Sequence, residues 1–88
     1  MSANSEYRTS DLALCGYLHL EGFGHVRIEK VADRRAEMVF EDGDGLRDAV
    51  MDYQTGNASV EPREFMRKIG WVRGRLLDTV NDGEDSAR

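Results

Sequence analysis

Between Pro62 and Val80 the apolar residues Phe65, Ile69, Val72, Leu76 and Val80 recur at intervals of three and four, the spacing of one core-facing helical stripe. A helix striped in this way must lie on another apolar layer, which already limits the architectures open to the chain. Trp71, the only tryptophan, does not follow the stripe. At about 100° per residue it sits roughly 140° from the stripe's centre. Arg67 and Arg75 are beside it, and Gly70 and Gly74 flank it. A large aromatic among arginines, with glycines that let another surface approach, reads as a contact site.

Length allows one domain. Of 88 residues, 1–5 and 81–88 are polar segments read as flexible tails, leaving a compact unit over 6–80. A domain this small buries only about 60% of the surface its unfolded chain exposes, so self-association would stabilise it. With 40% hydrophobic residues, one proline and no internal repeat, the body of the chain reads as folded rather than disordered. Cys15 is the only cysteine, so no internal disulfide forms; its neighbours Leu14, Tyr17 and Leu18 predict a buried thiol in a reducing cytosol. No stretch approaches the roughly 18–20 apolar residues that span a bilayer, and the N-terminus lacks the regions of a secretory signal. The expected location is the cytoplasm.

The net charge of −5 is unevenly placed. Arg63, Arg67, Lys68, Arg73 and Arg75 stand against Glu64 alone between Pro62 and Leu77, giving +4, so the remainder carries −9. Much of that lies in Glu41, Asp42, Asp44, Asp48 and Asp52.

Along the chain, Thr9 or Ser10 is placed to cap an apolar helix running to about Leu20, with Asp11 in its first turn. Periodicity alone leaves a strand open there, and the Thr-Ser-Asp start favours the helix. Gly22 and Gly24 end it. His25–Val31 and Ala36–Glu41 alternate as two strands of a hairpin around Asp33–Arg35. Two strands need more cover in water, and Tyr7–Thr9 and Ala58–Val60 are candidates for a third. Leu46, Ala49, Val50 and Tyr53 give a second amphipathic helix, with Asp44 as its expected N-cap and Gly56 as a left-handed C-terminal stop. Pro62 suits the first turn of the last helix. The fold class expected is α+β, a small antiparallel sheet covered by three helices.

Tyr7-Arg-Thr-Ser-Asp-Leu-Ala-Leu14, the hairpin ending Val39-Phe40-Glu41, the Asp52-Tyr53 pair and Val60-Glu-Pro-Arg-Glu-Phe65 resemble a family of short uncharacterised bacterial, archaeal and phage proteins, a domain of unknown function. The resemblance spans about Tyr7 to Leu77. It implies this order of elements and an intracellular, phage-linked setting, and it transfers no catalytic or binding residue. Trp71 and Gly74 stand outside its pattern.

Motifs for chemistry do not assemble. His19 and His25 are separated by the Gly22 and Gly24 break and have no further ligands at recognisable spacing, so no metal is expected. Aligning Gly45 with the turn glycine of a calcium loop puts Phe40 and Met51 where ligands should be. Ser10 lacks a nucleophile motif, and no Lys-Ser or Lys-Thr pair follows Gly43 and Gly45 to make a phosphate loop. The chain reads as a non-enzymatic interaction module, with no cofactor and no small-molecule substrate. Arg63, Arg67, Lys68, Trp71 and Arg75 are the expected contact residues, for a partner protein or a second copy of the chain. The alternative is nucleic acid, with the cations on phosphates and Trp71 on a base; the sequence pI of about 4.9 weighs against it. A third reading of the helix is a solvated face, with Arg67 stacked on Trp71 and its charges paired with the acidic loop.

Overall fold

The computed structural model describes residues 5–86, with side chains described to Asn81. The order is β1 (Glu6–Thr9), α1 (Leu12–Leu20), β2 (Arg27–Ala32), β3 (Arg35–Glu41), α2 (Asp44–Gln54) and α3 (Pro62–Ser86). This is the expected α+β class, a three-stranded antiparallel sheet with three helices. The outermost parts of the expected tails, 1–4 and 87–88, lie outside the described residues. α3 continues to Ser86, past Val80 where its apolar stripe ends; no proline follows Pro62 to stop it.

α1 is a heavily enclosed helix. Leu14, Cys15, Gly16, Tyr17 and Leu18 are buried in succession, which one face of a helix cannot supply, so α1 is covered on several sides. α3 and α2 both pack against it. Gly16 makes the α3 contact close: a Cβ built there would lie 3.2 Å from Ile69 Cγ1. The helix is capped by Asp11, not by Thr9 or Ser10; its side chain accepts from the Leu14 N–H, while Thr9 Oγ1 accepts from the Asp11 N–H. It ends as expected at Gly22, whose positive φ of 97° lets the Phe23 and Gly22 N–H groups close back onto Leu18 and His19.

β3 is the central strand, paired to β1 and β2. The third strand is therefore the Tyr7–Thr9 candidate; Ala58–Val60 has no strand geometry. Ala36, Met38 and Phe40 form the buried inner side, with Tyr7 and Ile28 packed against the same core. Val39 has the opposite parity, yet it is fully buried. Register explains this, because Arg8 and Arg27 sit directly beside it on the two flanking strands. Arg8 reaches across β3 to Glu29 at 2.6 Å, and Arg27 reaches back to Glu6 with both guanidinium nitrogens at 2.7 and 2.8 Å. Arg27 also bonds Glu29. The arginine stems cover Val39 while their heads close a four-charge ring above it.

α2 corrects one expectation. Its N-cap is Gly43, in extended backbone, and Asp44 is already helical in the first turn. Asp42 instead accepts from the Gly43 N–H and holds Arg47 at 2.8 Å. Gly56, with φ 83°, ends α2 as predicted.

Two outcomes follow. Gly16→Val should cost about 2 kcal/mol by overpacking against Ile69, read as a lower urea midpoint at unchanged slope; a variant as stable as wild type would refute the close α1–α3 approach. Arg27→Ala should lower stability and, because the ring is lost, remove part of the wild type's sensitivity to high salt in the same unfolding measurement.

Candidate functional site

α3 presents its apolar stripe inward, with Val72, Leu76 and Val80 buried, and turns the expected contact residues outward. Arg63, Arg67 and Arg75 are exposed, Lys68 is half-buried and Trp71 is 42% exposed. Glu61 positions the start of the helix, its carboxylate accepting from the Glu64 N–H. Arg67, Lys68 and Trp71 share a groove of about 350 Å³ with Glu64 and with Leu20 from the end of α1. Arg73 points elsewhere, lining a second groove of about 340 Å³ with Arg34 and Arg35 of the hairpin.

The cations over the Trp71 ring are not the expected one. Lys68 Nζ lies 5.0 Å from the ring centroid and Arg75 Cζ 5.8 Å, in place of Arg67. Nor is the acidic loop the partner of this helix. All the ion pairs among the described residues join groups between Glu6 and Arg47, and Asp42 is taken by Arg47. The α3 cations have no ionic partner among the described residues.

In sequence, His19 and His25 stand on opposite sides of the Gly22 and Gly24 break. Instead, the left-handed turn at Gly22 folds the chain back, and His19 Nε2 lies 3.1 Å from His25 Nδ1, one ring donating to the other. His19 meets Trp71 edge-on, with centroids 5.0 Å apart, and His25 lies 6.1 Å from it. His19 also touches Phe40 of the core at 5.9 Å. Trp71 thus rests on a histidine pair anchored in the core, with its outer part in solvent. A six-residue spacing around a terminating glycine is the one sequence signal that could have joined the two rings. Among the described residues no group of three metal-ligating side chains occurs.

Burial lowers the pKa of His19 below its ordinary 6.5, and His25 and Lys68 act in the same direction. Burial and Arg75 lower that of His25. Both rings are neutral at pH 7. Cys15 is inert by comparison, since burial pushes its thiol up to about 12.

These directions fix a pH dependence. The unfolded chain takes up protons near 6.5 while the folded rings resist them, so the contribution is present above that pH and is lost as pH falls through the folded values. Between about pH 7 and pH 5 the urea midpoint should drop, and His19→Gln with His25→Gln should remove most of that drop. Glu6 and Glu29, lowered from 4.5 chiefly by hydrogen bonding to Arg27, act only at lower pH. An unchanged pH profile in the double variant would show that the pair does not titrate with folding.

No helix among the described residues is long and apolar enough to cross a membrane. No curated protein and no solved structure matches the chain significantly. A family model does match, over residues 4–77, and it contains the capping segment of α1, the whole sheet, α2 and the Trp71 face. The chain belongs to DUF5659, a domain of unknown function.

Proposed function

We propose that the chain is a non-enzymatic binding module whose Trp71 face takes an acidic segment of a partner protein. The observation that carries this reading is the division of charge. The fold pairs Arg8, Arg27, Arg35 and Arg47 with carboxylates, but leaves Arg63, Arg67, Lys68 and Arg75 without ionic partners among the described residues, around a partly exposed tryptophan. A solvated face needs no such aromatic. A contact face uses it, because Trp and Arg supply most binding energy where they are desolvated together.

The groove between Leu20 and Trp71 sets an apolar floor beside two cations, Arg67 and Lys68, against one carboxylate, Glu64, which suits a carboxylate-bearing segment with an apolar residue. Nucleic acid would meet the same cations, but with a charge on every nucleotide it would feel the −9 carried by the rest of the chain more strongly than a short acidic segment does. The single buried thiol fits a reducing compartment, so the cytoplasm of a microbe or of a phage-infected cell is the proposed setting.

Trp71 is its own probe, being the only tryptophan. A short synthetic peptide of alternating Asp and Leu should shift its emission to the blue and saturate, and Arg67→Ala with Lys68→Ala should weaken that binding about tenfold. Oligonucleotides in the same assay should bind more weakly than the peptide at about 150 mM salt. Tighter oligonucleotide binding with a log–log salt slope near −3 to −4 would replace the protein reading with a nucleic-acid one.

A further inference from the structure

We infer that the acidic segment taken by the Trp71 face is α2 of a second copy of this chain. This rests on the reading that the face binds an acidic protein segment, and it names the partner. α2 buries Leu46, Ala49 and Val50 against its own core. Its opposite side carries Asp44, Asp48 and Asp52, all exposed, with Met51 58% exposed between them. None of these three aspartates makes an ion pair with a described residue. Arg47, the one cation on that flank, is held by Asp42 and also acts electrostatically on Asp44, so Asp48 and Asp52 are the two carboxylates it leaves uncompensated.

The two helices match in pitch as well as in sign. Asp44, Asp48 and Asp52 repeat every four residues, and so do Arg63, Arg67, Trp71 and Arg75 on α3. Each step is about 6 Å along a helix axis, so two antiparallel helices can set one series against the other over two turns. Gly70 and Gly74 have open space where a Cβ would stand, which lets a second backbone come close beside Trp71. Met51 then has an aromatic and a glycine surface to cover it.

Other copies of the same elements fit worse. Two α3 faces would bring together like charges, as would two α2 faces. Within one copy, α1 packs against both α2 and α3, and the α2 aspartates lie on the side turned away from that contact. Each copy carries one stripe of each sign, so association satisfies in a neighbour what folding leaves unpaired. A domain with so small a core gains most from such cover.

The test is a charge exchange read by light scattering and sedimentation, from about 10 to 500 μM, a range that brackets weak self-association. Wild type should gain mass with concentration and lose that gain in high salt. Arg63→Glu with Arg67→Glu should weaken association about tenfold, and so should Asp48→Lys with Asp52→Lys. The chain carrying all four changes should recover to within about threefold of wild type, because the pairs are restored with signs exchanged. Asp48→Asn with Asp52→Asn should also weaken association and serves if the lysine pair does not fold. A wild type that stays monomeric throughout, or a fourfold variant no tighter than its parents, overturns the inference. If the monomeric wild type still shifts its Trp71 emission with the acidic peptide, the face binds but the partner is not itself. If it does not, the face is not a binding site.

Discussion

The close approach of α1 and α3 at Gly16 and Ile69 fixes where almost everything else lies. α1 is only nine residues long and buried on several sides, so it has no stability to offer on its own. It becomes a helix by being enclosed. Because Gly16 has no side chain, α3 settles near enough for Val72 and Leu76 to join Leu14 and Leu18 in one core. That contact sets the rotation of α3, and the rotation decides which residues face water. Trp71 therefore comes to rest over His19, one turn beyond Cys15 on the same short helix. The exposure of Trp71 and its neighbouring cations is a by-product of how the core closes.

The far side of the sheet is held by a different device. A three-stranded sheet with helices on one side leaves its other side to water, and there the chain places Glu6, Arg8, Arg27 and Glu29 around Val39. Cross-strand pairs between neighbours are common in sheets. Here each arginine skips the central strand and binds a carboxylate on the opposite edge, so the ring ties β1 to β2 although the two share no ladder. Shielding Val39 with arginine stems also removes an apolar spot from an otherwise open sheet face.

What the sequence made legible follows from how local each signal is. The α3 stripe, the hairpin and the stops at Gly22 and Gly56 depend on residues close together in the chain, and all are found in the structure. Caps are legible only to within one or two residues, since Thr9, Ser10 and Asp11 are all competent acceptors and the extended backbone at Asp11 is not written in the sequence. Exposure of Trp71 could be derived from the wheel. Its support by His19 and His25 could not, because a glycine turn reads in sequence as a separator although it folds the chain back on itself. The ring over Val39 was equally hidden, as it depends on the register of two strands with β3 between them. Non-local geometry is where reading by period stops.

Charge completes the picture. Folding could have neutralised α3 with the aspartates of α2, which are available in number and close in sequence. It spends carboxylates on arginines of the sheet and hairpin instead, and keeps the two helices apart with α1 between them. An unpaired surface charge costs little while it is hydrated, so neither helix destabilises the monomer by much. Desolvation changes that balance. Once a second surface excludes water from Trp71, an unneutralised Lys68 or Arg75 beside it becomes expensive unless the incoming surface brings carboxylates. The neutral histidines beneath Trp71 add nothing to that positive charge at pH 7, whereas protonating them would increase it at the same spot. An apolar surface laid on Trp71 would therefore meet a desolvation cost at Lys68 and Arg75 that negative charge on that surface offsets.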